Sequence, residues 1–202
     1  AQTPAPRVEL LPGTERLEGG TFNGEEIRKL IGNVRFRQAD ALLYCDSAYQ
    51  YPAPSNRVVC FSNVRLVQAD TVTITGERLN YDGDQRQARM LGAPNRPVRM
   101  QDPRMTLTTA ELDYDLHRRV AYYTTGGHLE DPQNQLDSRR GLYDTQAKTF
   151  GFRGNVVLRN PDYTVNCDTL SYNTLTKVAT FLGPTTMRGK RGDLYAESGT
   201  YN

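Results

Sequence analysis

The chain is poor in the residues most catalysts are built from. Only two histidines, His117 and His128, and three cysteines, Cys45, Cys60 and Cys167, occur in 202 residues. Neither histidine stands near a carboxylate at metal-ligand spacing, and His128-Leu-Glu-Asp131 reads as a solvated turn. The cysteines match no zinc or redox motif and read as small thiols buried in a sheet. All three cannot pair together, and Cys45 and Cys167 fill neighbouring slots four repeats apart, which argues against a bridge between them. A Gly-x-Ser-x-Gly elbow, a P-loop and a dinucleotide fingerprint are all missing, so nothing points to a cofactor. No apolar run approaches the ~18 residues a membrane-crossing helix needs. Charge of one sign is also scarce. Lys+Arg 25 against Asp+Glu 23 leaves +2, with no block of like charge, so the footprint of a nucleic-acid partner is lacking. A hydrophobic content of 37% and a mean hydropathy of −0.65 are low for a thick core but suit a thin body of sheet on sheet.

What is present is a period. Tyr81, Tyr114, Tyr143, Tyr172 and Tyr201 form a ladder whose last three steps are 29 residues each. Each closes a similar phrase, as in Val72-Thr-Ile-Thr-Gly-Glu-Arg-Leu-Asn-Tyr81 and Tyr163-Thr-Val-Asn-Cys-Asp-Thr-Leu-Ser-Tyr172. Leu42 to Tyr51 fits the frame upstream, and Val8-Glu-Leu-Leu-Pro, ending at Leu17, fits it loosely. A fixed period of about 30 residues with alternating strand chemistry is the mark of a stacked, all-β repeat architecture.

Within each phrase the apolar pair comes nine and seven residues before the ladder position: Leu42/Tyr44, Val72/Ile74, Met105/Leu107, Tyr163/Val165, with Leu136 and Leu194 in the later repeats. It returns two before and at the ladder itself, as in Leu79/Tyr81 and Leu112/Tyr114. A period-2 strand cannot change face without an extra residue, so a bulge or corner is expected at the small residue between: Gly76, Thr109, Ser138, Cys167 or Ala196. Eleven residues after the ladder stand Ser62, Gly92, Gly154 and Gly183. Gly32-Asn33, Ser62-Asn63 and Gly154-Asn155 tolerate positive φ and read as turns or bulges entering the strands Val34/Phe36, Val64/Leu66 and Val156/Leu158. Tyr81-Asp-Gly-Asp84, Pro94-Asn-Arg-Pro97, Asp131-Pro-Gln-Asn134 and Asn160-Pro-Asp162 are turns. Gly24 to Ile31 is the one helix-like stretch, and at eight residues it reads better as strand.

Glu77, Asp168 and Glu197 share the slot four before the ladder. Ser47, Ala110 and Arg139 fill the same slot elsewhere, so solvated corner residues are the plainer reading than a catalytic or calcium-binding row. Gly189-Lys-Arg-Gly192 reads as a surface turn, although a basic turn can touch phosphate. The tyrosines read as packing rather than as a stacking platform.

The Gly-Asn-Val turn-strand followed by Asp/Glu-x-Leu-x-Tyr, seen in Gly154-Asn-Val-Val-Leu158 and Asp168-Thr-Leu-Ser-Tyr172, resembles the OstA-like family of periplasmic lipopolysaccharide-transport proteins, related to LptA and to the N-terminal domain of LptD. Leu43-Tyr-Cys-Asp-Ser-Ala-Tyr49 looks like the first repeat of Bacteroidetes-type members. The resemblance covers residues 8–202. It implies a repetitive twisted β-jellyroll: a V-shaped, solenoid-like pair of antiparallel sheets around an apolar groove. It also implies no enzymatic activity and no cofactor. The expected partners are lipopolysaccharide or a related glycolipid, and other Lpt-type units or further copies joined by edge-strand pairing. The expected location is the periplasm, with outer-membrane association possible for such a unit.

The expected organisation is a flexible segment over 1–7, which reads as a terminus left where a secretory signal was removed or never included, and one domain over 8–202. The end at Tyr201-Asn202, in a repeat phrase without capping, reads as a cut through a longer array or a strand meant to pair. Leu42, Tyr44, Val72, Ile74, Met105, Leu107, Leu136, Val165 and Leu194 are expected to line the groove. A structural or adhesive β-solenoid with a packed interior is the competing class. A polysaccharide-acting β-helix enzyme is a third, and it needs converging carboxylates.

Overall fold

The computed structural model describes residues 5–201. The first four residues of the expected flexible segment, Asn202, and the side chain of Tyr201 lie outside the described residues. Pro6 and Arg7 are tied down: the Pro6 carbonyl accepts from Gln38 Nε2 at 2.5 Å, and Arg7 Nη1 donates to the Pro52 carbonyl at 3.1 Å.

The described secondary structure is antiparallel strand throughout. In chain order the strands are β1 (Glu9–Leu10), β2 (Arg16–Phe22), β3 (Glu25–Gln38), β4 (Ala41–Tyr51), β5 (Arg57–Gln68) and β6 (Val72–Asp82). Next come β7 (Gln87–Leu91), β8 (Val98–Asp102), β9 (Met105–Thr109), β10 (Glu111–Asp115), β11 (Val120–Tyr123) and β12 (Gly127–Glu130). The last six are β13 (Gln135–Ser138), β14 (Arg140–Asp144), β15 (Thr149–Arg159), β16 (Tyr163–Asn173), β17 (Ala179–Gly189) and β18 (Gly192–Tyr201). The helix-like stretch is strand from Glu25 onward; three of the four expected turns fall between strands, while Tyr81-Asp-Gly-Asp84 begins inside β6, which runs to Asp82. This bent antiparallel architecture agrees with a β-jellyroll.

Two compact units form. One holds the chain to Asp102 with Glu111–Arg118, and the other holds Pro103–Ala110 with the chain from Arg119. The phrase from Met105 to Tyr114 is therefore divided. Its first limb, β9, pairs with β12 in the second unit, and its second limb, β10, pairs with β7 in the first.

The corners explain the change of face. Ile31 to Val34 on β3 spans three steps where Ser47 to Cys45 on β4 spans two. The same three-against-two count recurs for Phe61/Val64 opposite Arg78/Gly76, Arg153/Val156 opposite Thr169/Cys167, and Leu182/Thr185 opposite Ser198/Ala196. The extra residue thus sits on the strand carrying Gly-Asn, Ser-Asn or Gly-Pro. The small residue of the tyrosine phrase, where the bulge was expected, faces it across the ladder. The backbone shows why. Gly154 and Asn155 have φ of 83° and 48°, a consecutive left-handed pair that β-branched residues resist.

In the first unit each limb buries one cross-strand row. Leu30, Ala48, Cys60, Leu79, Met90 and Leu112 are register partners in sequence on one side of the corner. Phe36, Leu43, Leu66, Ile74 and Met100 are partners on the other. All are buried. The tyrosine ladder is packing here: Tyr81 and Tyr114 are buried, and Tyr114 Oη donates to Gln68 Oε1 at 2.5 Å while Tyr81 Oη bonds Gln38 Oε1. Burial pushes the Tyr81 phenol up to about 12.

Candidate functional site

The second unit carries an unbroken apolar row across seven strands. Leu107, Leu129, Leu136, Leu158, Val165, Met187 and Leu194 are successive register partners from β9 through β12, β13, β15, β16 and β17 to β18. Alternation in each strand puts one residue of each on the same face. The row is buried from Leu107 to Val165 and opens only over its last two strands. Val165 is fully covered, Met187 is half-buried, and Leu194 is 61% exposed on β18.

Beside this row lies a cavity of about 240 Å³. Leu129, Leu136 and Leu158 line one wall, and Leu170 and Ala179 line the other. Its rim is polar. The turns Asp131–Asn134 and Asn160 close one end, with Asn160 Nδ2 donating to Asn134 Oδ1 at 3.1 Å, and Asp131 Oδ1 accepting from the Asn134 amide at 2.8 Å. Tyr163, Tyr172 and Lys177 complete it. The Tyr172 phenol is pushed up by burial and then by the Asp131 charge, so it stays a neutral donor there. Greasy walls with polar groups gathered at one end suit an amphipathic ligand.

Another part of the same unit is closed. The Tyr123 ring occupies the space where side chains at 127 and 141 would stand: a Cβ on Gly127 or Gly141 would come within 2.4 Å of it. Tyr123 Oη bonds Ser138 Oγ at 2.6 Å, and burial pushes the phenol up to about 12. Tyr143 stacks on Phe150 with centroids 3.9 Å apart. Glycine at 141, in a slot held by leucine in earlier repeats, therefore makes room for a tyrosine.

The nine residues expected to line a groove divide by position. Leu107, Leu136, Val165 and Leu194 lie on the seven-strand row. Val72 and Ile74 are buried on the inner face of the first unit, and Met105 is buried on β9. Leu42 and Tyr44 require correction. They pair with Val67 and Arg65 on the face opposite the buried row, and Leu43 and Cys45 hold the inward places. Leu42-Leu-Tyr-Cys45 is apolar at both parities, so alternation could not decide its face. Of the cavity walls, Leu158 was visible as an alternating strand residue, whereas Leu129 was masked by the reading of His128-Leu-Glu-Asp131 as a turn.

His128 also differs from expectation. It sits on β12, with Nδ1 2.6 Å from Asp137 Oδ1 and Nε2 3.1 Å from Glu130 Oε1. Glu77, Asp168 and Glu197 lie on β6, β16 and β18, and Glu77 is engaged by Arg96 at 3.1 Å. No cluster of three metal-ligating side chains occurs among the described residues. The thiols are buried. Contact with Cys45, then burial, holds Cys60 well above the usual thiol range, and burial followed by the Asp168 charge pushes Cys167 up to about 11.

Bent repeat strands that carry one continuous apolar row, with room left beside it, define a repetitive all-β protein organised around an apolar lining. A family model described as OstA-like protein matches residues 8–168, and the chain belongs to that family, one of transport and binding proteins. No curated protein matches the chain.

Proposed function

We propose that this protein holds acyl chains of lipopolysaccharide, or of a related glycolipid, and shields them from water during transport through the periplasm to the outer membrane. The cavity beside the seven-strand row carries this reading. Each methylene withdrawn from water is worth ~0.8 kcal/mol, so a chain of a dozen carbons costs on the order of 10 kcal/mol to leave exposed. The polar rim of the cavity supports an orientation in which the sugar end stays wet. Membership of the OstA-like family supports the class of cargo.

Joining to other Lpt-type units, or to a second copy, would use strand edges. Among the described residues β18 pairs only with β17, and β2 pairs only with β3. Unpaired N–H and C=O groups on such edges template a further strand. The packed-scaffold reading has one observation in its favour: the rows of the first unit are fully covered by their own side chains.

A photo-crosslinking residue at Leu136 or Leu158 distinguishes the two. Transport predicts capture of glycolipid there and none at Leu142, which is exposed, or at Arg78. Equal labelling at all four positions would remove the carrier reading.

A further inference from the structure

Four corners of the fold need only two residues each: Gly32-Asn33, Ser62-Asn63, Gly154-Asn155 and Gly183-Pro184. The corner between β7 and β8 spends six, Gly92–Pro97, at the equivalent slot. This loop is held firmly. Ala93 and Arg96 exchange backbone hydrogen bonds of 2.8 and 2.9 Å, and a Cβ on Gly92 would stand 2.8 Å from the Arg96 carbonyl. Turning a corner does not require it, so its chemistry calls for another account.

The loop walls an open groove of about 640 Å³ on the outer face of the first unit. The floor is a cross-strand row, Tyr44, Arg65, Thr75 and Arg99, contributed by β4, β5, β6 and β8. Arg96 stands on the wall beside Asn95. Three guanidiniums thus meet one carboxylate, Glu77, which Arg96 already engages at 3.1 Å. Arg65 and Arg99 make no ion pair among the described residues. The groove alone therefore holds an excess of two positive charges, equal to the formal excess of the entire chain.

Arg65 is also pre-oriented, with its guanidinium carbon 4.2 Å from the Tyr44 ring centroid. Stacking fixes the plane of the fork and leaves its N–H edge free. With strands about 4.8 Å apart, the Arg65 and Arg99 backbones are separated by about 10 Å, so both side chains can reach one phosphate or two neighbouring ones. Thr75 between them offers a hydroxyl and Asn95 an amide at the margin, whereas Asn63 is already engaged, its Nδ2 donating to Asp46 Oδ2 at 2.7 Å and its Oδ1 accepting from Arg96 at 3.4 Å.

We propose that this groove is a second binding site, specific for a phosphate-bearing saccharide headgroup. It is separate from the apolar cavity. The commitment to a glycolipid headgroup as the phosphate source rests on the carrier reading above, whereas the phosphate chemistry stands on the arginines alone.

The test uses the full chain and a phosphorylated oligosaccharide freed of its acyl chains, titrated calorimetrically before and after phosphatase treatment. Binding is expected for the phosphorylated form, weakening with salt, and lost on dephosphorylation. Arg65→Ala with Arg99→Ala should weaken it about ten-fold or more, and Lys at both positions should recover only part, because charge returns without the fork. Both residues are exposed on strand surfaces, and unchanged circular dichroism checks that the variants fold. Binding of a long-chain alkyl probe lacking phosphate should be the same in wild type and variants. That probe reports the carrier reading, so the two ideas fail separately. Equal binding by the dephosphorylated saccharide, an unaffected double variant, or tighter binding of inorganic phosphate or an acidic peptide would overturn the headgroup site.

Discussion

Replacing Ala179 with phenylalanine puts a benzyl group into the second unit's cavity. Ala179 is buried on β17, with its side chain on the wall opposite Leu136 and Leu158. The space there is about 240 Å³. A water takes about 30 Å³ and a methylene is of similar size, so about eight methylenes fit. At ~0.8 kcal/mol each, their transfer from water is worth roughly 6 kcal/mol. A benzyl group displaces about four of them, a loss of roughly 3 kcal/mol, or about a hundred-fold in affinity. Titration with a fluorescent long-chain alkyl probe measures this directly. The thermal midpoint of the unliganded variant should hold or rise, because filling a void adds contacts. If phenylalanine overpacks the site and lowers the midpoint, Ala179→Leu supplies the milder step, with a loss of roughly 2 kcal/mol. Probe affinity within two-fold of wild type in a folded Ala179→Phe protein would refute the placement of the chain.

Three further outcomes follow from other parts of the structure. Tyr114→Phe strands the buried Gln68 Oε1 that it now bonds at 2.5 Å, and urea unfolding should show a loss of about 1–3 kcal/mol. Gly154→Val forces a β-branched residue to φ of 83° with the Arg139 Cβ 3.1 Å away, costing about 1–2 kcal/mol; Gly151→Val on the same strand meets nothing within 4 Å and should cost almost nothing. For His128, burial pulls the imidazole pKa down, but the hydrogen bonds and charges of Asp137 and Glu130 outweigh it, so the value is raised. Burial pushes Asp137 up, but Arg159 and His128 outweigh this and hold it low. The histidine's contribution is therefore whole below its ordinary range near ~6.5 and fades as pH rises through the raised value. The Asp137 contribution is present above ~3.9 and fades only as pH falls through the lowered one. His128→Gln should accordingly destabilise more at about pH 5.5 than at about pH 9, by less than about 1 kcal/mol because the pair is partly exposed. A gap that widens with pH contradicts the assignment.

Much of the fold was legible because two signals are local. Alternation of apolar residues specifies strands, and a 29-residue recurrence specifies that each strand pair repeats the last. The switch from odd to even inward positions required a corner, and Gly-Asn, able to adopt positive φ, marked the residues that make it. Which strand of the pair carries the extra residue is a property of the ladder between them, visible only in the three-against-two register.

Local pattern was silent wherever chemistry did not alternate. Leu42-Leu-Tyr-Cys45 could face either way until pairing with Leu66 turned Leu43 inward. Leu194 shares the face of the apolar row, yet it is 61% exposed, and its exposure depends on what lies over β18, which no sequence window contains. The same holds for the cavity. Leu129, Leu158, Leu170 and Ala179 come from four strands and meet only after the limbs fold over, so their convergence is a long-range fact. The sequence by itself determined strands, corners and an apolar face, because these depend on backbone conformation and on period. Tertiary structure alone decided where that face is filled, as by Tyr123, and where it is left with room, because packing depends on which distant side chains arrive at the same place.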